Sequence, residues 1–226
     1  YQIGFSGDVI INWKSLAYQP WFTATAANVG FGFWSHDIGG HMQPMSKKLK
    51  QDAELFTRWG QWGAFSPIFR THATNDPGIE RRMWQYPAEN FEAMKKAVLQ
   101  RYSLLPYIYT YSRMAYDSAI SLVHPMYYEY PDKDEAYHCP QQYFFGNDMI
   151  VAPICKPLKG KAFTTQTIWL PDGNWYDYRN NNLLPGGKKL TFTYKLNEVP
   201  VFVKQGSIIP QQHLKLHADE PLDTVM

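Results

Sequence analysis

The chain changes rhythm near residue 122, and that change limits the folds open to it more than any other feature. Before it, short apolar runs alternate with stretches of helical periodicity, and each run stops at a polar or charged cluster. After it, short strand-like runs follow one another with only turn signals between them. The first pattern is that of a parallel α/β layer, in which a helix must carry the chain back between neighbouring strands. The second is that of an antiparallel sandwich.

In the first half, residues 1–5 form an apolar run closed by Ser6-Gly7-Asp8. A helix is expected over 13–27, disturbed at Pro20. Residues 29–34 form a second run closed by His36-Asp37-Ile38-Gly39-Gly40. A helix over 46–62 follows, with Ser46 as its cap and Leu49, Ala53, Phe56, Trp59 and Gly60 on one face. Residues 65–69 form a third run, ending in Arg70-Thr71-His72. A long helix starts near Glu89 and is interrupted at Pro106. Barrel enzymes draw their active-site residues from the C-terminal ends of several strands, and Asp8, Asp37, Arg70 and His72 hold such positions. Three strands cannot close a barrel of eight, so the expected fold is the C-terminal part of a (β/α)8 TIM barrel followed by an antiparallel β-sandwich. The expected boundaries are 1–120 for the barrel portion and 121–210 for the sandwich. Residues 211–226 read as a linker or the start of a further β domain.

In the second half, strands are expected over 123–130, 149–154, 165–170, 190–194 and 199–203. Turns are expected at Pro131-Asp132, Gly146-Asn147-Asp148, Pro171-Asp172-Gly173-Asn174 and Pro185-Gly186-Gly187. The 22 Lys+Arg and 20 Asp+Glu leave a net charge of +2, which argues against a nucleic-acid partner. The stretch 15–36 lacks Lys, Arg, Asp and Glu, but Gln19, Pro20, Thr23, Asn28, Gly30 and Gly32 interrupt it. It is no membrane span. Cys139 and Cys155 fit no metal-finger spacing and read as two unrelated buried thiols. The 16 Tyr, 13 Phe and 8 Trp are the compositional excess, which means a heavy core, a stacking surface, or both.

Taken singly, each polar residue at a strand end has a bland explanation. Asp8 after a glycine is ordinarily a turn former or cap. Set against apolar and aromatic surface, its charged form would be disfavoured, which suits a general acid. Asp37 lies among glycines that permit a tight turn or a close backbone approach to a ligand. His36 and His41 flank Asp37 without a metal-binding helical spacing, and no metal site is expected. Arg70 and His72 point to one side of an extended segment, as donors to hydroxyls would. Gly186-Gly187-Lys188-Lys189 reads as a turn and not a phosphate cradle. Carboxylates, guanidinium and imidazole among Phe5, Phe33, Trp34, Trp59 and Trp62 together describe a sugar pocket, because apolar sugar faces stack and hydroxyls need directional partners.

These segments, in this order, resemble glycoside hydrolase family 31, the family of α-glucosidases and α-xylosidases. Phe5-Ser6-Gly7-Asp8 resembles its acid/base segment, and Phe33-Trp34-Ser35-His36-Asp37-Ile38-Gly39-Gly40 its substrate-binding carboxylate motif. Phe69-Arg70-Thr71-His72 resembles its Arg-x-His element. Arg101-Tyr102-Ser103-Leu104-Leu105-Pro106-Tyr107 is similar to the helix that closes its barrel. Trp175-Tyr176-Asp177 and the segment from Val199 to Pro210 are similar to its C-terminal sandwich.

The resemblance implies that Asp8 is the general acid/base. It implies that Asp37, Arg70 and His72 bind the non-reducing-end sugar in the −1 subsite, lined by Trp34 and Phe5. Phe5 stands where many members have Trp, and His41 where many have an aromatic residue. The implied mechanism is retaining, with two carboxyls about 5–5.5 Å apart, and needs no cofactor or metal. The family's nucleophile belongs to an earlier strand, so it is expected in the remainder of the parent polypeptide. The expected substrate is an α-linked oligosaccharide losing terminal glucose. The alternatives are an α-xylosidase, an α-glucosyltransferase or a non-catalytic carbohydrate-binding relative.

Overall fold

A computed structural model describes residues 2–44, 52–214 and 217. In chain order the first half contains β1 (Gly4–Phe5), α1 (Trp13–Thr25), β2 (Trp34–Ser35), α2 (Ala53–Gly63), α3 (Ala88–Ser103) and α4 (Leu105–Ser118). The second half contains β3 (Val123–Pro125), β4 (Tyr143–Phe145), β5 (Met149–Val151), β6 (Thr164–Leu170), β7 (Asn174–Asp177), β8 (Asn182–Pro185), β9 (Lys188–Tyr194) and β10 (Val201–Lys204).

Strands β1 and β2 pair in parallel, Gly4 opposite Trp34 and Phe5 opposite Ser35, with α1 as the crossover. The expected third strand over 65–69 is not formed. Phe65 and Ser66 instead finish α2 as turns onto Trp62 and Gly63. The Arg101 guanidinium donates to the carbonyls of Ala64, Ser66 and Pro67 at 2.6–3.1 Å. Those carbonyls are therefore satisfied by a helix side chain where a neighbouring strand would have been needed. The parallel pattern resumes at residue 71 as an isolated bridge to Ile38, beside a second such bridge between Ile10 and Met42.

Asp52 caps α2 through its Oδ1, which accepts from Glu54 and Leu55 at 2.9 and 3.2 Å. Ser46, the expected cap, and most of the expected first turn lie outside the described residues. Pro20 is accommodated inside α1. Pro106 marks the first turn of α4, where it removes no helical bond.

Among the described residues, β3-β4-β5-β10-β7-β8 form one antiparallel sheet and β6-β9 a second. Three strands escaped the sequence reading: β4, β7 and β8. The first is a continuous apolar triplet, and the other two lie against segments read as turns. The expected strand over 123–130 stops at Pro125 and becomes a 3-10 turn at Met126–Tyr128.

Strands β4 and β5 of the larger sheet are buried on both faces, which is why they are apolar without alternation, whereas β8 at the far edge is largely exposed. Phe144, Ile150 and Phe202 stand side by side in register and pack with Trp169, Leu170, Trp175 and Tyr194 between the sheets. The flanking residues Tyr143, Phe145, Met149, Val151 and Val201 point the other way, into one continuous core with Trp59, Trp62, Phe65 and Tyr107 of the helical half.

Arg58 crosses this junction. It is buried on α2 and donates to the carbonyls of Lys195, Leu196 and Glu198 and to Gln61 Oε1 at 3.1–3.2 Å. At the chain's end, Gln211 Nε2 donates to Tyr178 and the Gln212 N–H to the Ser103 carbonyl. The remainder of the expected 211–226 linker lies outside the described residues except 213, 214 and 217. Cys139 is half-buried and Cys155 buried, both as free thiols. No helix among the described residues is long and apolar enough to cross a membrane.

Candidate active site

The parity of β2 sorts its residues. Trp34 and His36 point to the helical layer, and Ser35 and Asp37 point the other way. Trp34 meets Phe22 and Phe31 edge-on at 5.1 and 5.9 Å. It lies so close over Gly4 that a Cβ there would come within 2.4 Å of the indole. Trp34 is thus not brought to the polar cluster; it backs the β1–β2 pair from behind.

His36 is likewise core. Its ring stacks on Trp62 at 3.8 Å, Nδ1 accepts from the Trp59 indole N–H at 3.2 Å, and Nε2 lies 3.1 Å from Ser66 Oγ. With Nδ1 already accepting, the ring is neutral and Nε2 carries the hydrogen. Burial, reinforced by the Arg101 and Arg70 charges, pushes its pKa down to about 3 from 6.5. Between those values the unfolded chain takes up a proton that the folded chain refuses, so stability falls on acidification. The expected slope is about 1.4 kcal/mol per pH unit. Denaturation midpoints at about pH 7 and about pH 5 should therefore separate by about 2 kcal/mol more in the natural chain than in His36→Gln. Equal losses in both would remove His36 as the source.

Asp37 is fully buried, and both its oxygens are engaged. Arg70 Nη2 donates to Oδ1, and His41 Nδ1 lies 2.8 Å from Oδ2. Arg70 also lies over the Phe5 ring, with its guanidinium carbon 5.1 Å from the centroid. Asp8 Oδ1 is 3.5 Å from His41 Nδ1. The His72 ring is 5.3 Å from that of His41. The structure therefore gathers Asp8, Asp37, Arg70, His72 and Phe5 where β1 and β2 end and the 70–72 segment bridges to Ile38. The apolar seat expected around Asp8 is not built by the described residues: its side chain is 53% exposed. Trp13, the first residue of α1, donates to Asp52 at 2.9 Å.

Two residues were missed as parts of the site. The sequence marks His41 as a flank of Asp37 and as a departure from the family's aromatic residue, but not as a partner of Asp8. Arg81 is half-buried behind the cluster and donates to the carbonyls of Gly40 and His72. No local pattern marks Arg81, because its partners come from other loops, whereas His41 pairs with Asp37 four residues back. The turn from Asp37 to His41 requires its glycines: Gly40 has a φ of +80°, and a Cβ there would sit 3.0 Å from the Ile11 backbone.

Asp37, His41 and His72 each bring one ligand atom within 4.8 Å of the others. A cation on Asp37 would displace His41 or confront the Arg70 guanidinium, so the trio suits neutral hydroxyls better than a metal. Two partly exposed donors and a buried, fixed carboxylate are a set that can orient a polyhydroxyl ring.

A portion of a β/α barrel with its polar cluster at the strand ends, continuous with an all-β domain, defines the class: the rear of a barrel enzyme with its C-terminal companion. The model of the glycosyl hydrolases family 31 TIM-barrel domain matches residues 1–111, and that of the family's C-terminal domain residues 119–209. The chain belongs to glycosyl hydrolase family 31.

It is 32% identical over 209 residues to a 1,6-alpha-glucosyltransferase of Sporosarcina globispora, covering 91% of this chain and 16% of that one. It is equally similar, 32% over 209 residues, to an alpha-xylosidase of Saccharolobus solfataricus, covering 92% of this chain and 28% of the relative. Among solved structures, a family 31 dextranase of Flavobacterium johnsoniae complexed with glucose superposes with a TM-score of 0.86 at 32% identity, covering 95% of this chain and 26% of that one. The chain thus spans less than a third of the length of these relatives.

Proposed function

We propose that this chain carries the acid/base and part of the −1 subsite of a retaining glycosidase that removes terminal α-linked glucose from oligosaccharides. The observation that carries the reading is the placement of Asp8 beside the Asp37–Arg70 pair at the ends of two paired parallel strands. Asp8 gives its proton to the glycosidic oxygen as the C1–O bond breaks, while a carboxylate from another part of the polypeptide bonds to C1. Asp8 then takes a proton from water as water displaces that carboxylate. Asp37 accepts from sugar hydroxyls, Arg70 and His72 donate to them, and Phe5 supplies an apolar wall. Asp37 is not the nucleophile, because both of its oxygens are held by Arg70 and His41.

With the whole parent polypeptide, nitrophenyl α-glucoside should be hydrolysed in preference to the α-xyloside and α-galactoside, and the 226-residue chain alone should turn over none. Preference for the xyloside, or glucosyl transfer to an acceptor sugar in place of release to water, would replace the α-glucosidase reading with one of its alternatives. Turnover by the chain alone would place a nucleophile within it.

A further inference from the structure

We propose that His41 is a positioning residue for the acid/base step, holding the Asp8 carboxyl in register with Asp37 through a single ring nitrogen. The inference deepens the reading above and rests on Asp8 being the acid/base. His41 joins three loops at once. Its backbone N–H donates to the Val9 carbonyl at 2.8 Å, and its carbonyl accepts from Thr74 at 3.0 Å. The residue is thereby pinned between the segment that follows Asp8 and the one that follows His72. Its Nδ1 then lies 2.8 Å from Asp37 Oδ2 and 3.5 Å from Asp8 Oδ1.

A carboxylate can only accept, so Nδ1 carries the hydrogen. The ring cannot easily swing away, because the His72 ring lies against it and Arg81 holds the carbonyls of Gly40 and His72 from beneath. Asp37 needs His41 least, having Arg70 as a second partner. Asp8 has no such reserve. Among the described residues, His41 is the one side chain within ion-pair reach of its half-exposed carboxyl. An exposed aspartate samples several rotamers. The Nδ1–H, given to Asp37 Oδ2, still presents its positive end 3.5 Å from Asp8 Oδ1 and favours the rotamer that faces the position of the sugar bound by Asp37 and Arg70. Misplacing a reacting group by about 1 Å can cost about 100-fold in rate, so selection of this kind acts on turnover more than on binding.

The test uses the full-length parent enzyme with His41→Phe, which keeps a ring and loses the donor, and His41→Asn, whose amide nitrogen reaches the Nδ1 position. On an unactivated α-glucoside, His41→Phe should lower kcat about 10- to 100-fold with little change in KM. On a nitrophenyl glycoside, which needs little acid help, the loss should be several-fold smaller, and His41→Asn should recover most of the activity. Equal losses on both substrates, no loss, or no recovery by Asn would overturn the proposal. If the Phe variant does not fold, His41→Ala reads the same ratio. Asp8→Asn run in parallel separates the two levels. If it leaves the leaving-group ratio unchanged, the acid/base reading itself fails. If it shifts that ratio and the donorless His41 variant does not, His41 alone is wrongly assigned.

Discussion

Asp8→Ala in the full-length enzyme should lower kcat/KM on oligosaccharides by about 10²–10⁴-fold, the usual contribution of a positioned general acid. That range corresponds to about 3–5 kcal/mol of transition-state stabilisation. The leaving group decides how much of it is seen. A sugar hydroxyl departs as a strongly basic alkoxide unless it is protonated as the bond breaks. A nitrophenolate is stable enough to leave unaided. The cleavage step for nitrophenyl α-glucoside should therefore be nearly intact in Asp8→Ala, with its residual defect in the later step, where water must lose a proton. Single-turnover and steady-state rates on the two substrate types distinguish these steps. A uniform loss across leaving groups would assign Asp8 to binding or structure. Its half-exposed position leaves room for that substitution without a cavity in the core.

Arg58→Ala should destabilise the chain by about 3–5 kcal/mol, measured from urea denaturation midpoints. The side chain is 1% exposed. Its removal orphans the Glu198 carbonyl and Gln61 Oε1, and takes one donor each from the carbonyls of Leu196, which keeps Gln61 Nε2 at 2.6 Å, and Lys195, which keeps the Glu198 N–H at 3.3 Å. Each buried acceptor left without a donor costs about 1–3 kcal/mol, partly relieved if water enters. Burial pulls the guanidinium down to about 10, so it remains charged at neutral pH. Arg58→Lys should recover little, because one ammonium cannot span acceptors arranged for a planar fork. A loss below about 1 kcal/mol would mean that the junction relaxes around the missing side chain.

The order of elements was readable because polarity changes abruptly where a strand gives way to a loop, and helices repeat their apolar residues every three or four positions. Asp8, Asp37, Arg70 and His72 could be singled out for the same reason: each closes an apolar run. What escaped depends on partners distant in sequence. The 65–69 run has the composition of a strand, but Arg101 captures its carbonyls from a helix more than 30 residues on. Trp34 reads as a pocket aromatic until the register with Gly4 fixes its parity, which turns it toward Phe22. Ser46 and Asp52 are both competent caps, and only the hydrogen bonds to Glu54 and Leu55 identify Asp52. His41 is marked locally by its place beside Asp37, but its contacts with Val9, Thr74 and Asp8 come from other loops and leave no trace in the spacing.

The core shared by α2, α4 and the larger sheet also governs how the strand-end cluster of this chain can be moved into another protein. A graft cut at the turn between α4 and β3 would separate Tyr107 from the Phe145 carbonyl it donates to, and Tyr143 from that of Phe65. The recipient would receive strand ends whose supporting wall belongs to another parent. A working transplant has to carry β4, β5 and the 195–198 turn along with Asp8, Asp37 and Arg70, so the modular unit for recombination is the pair of halves and not the barrel segment alone.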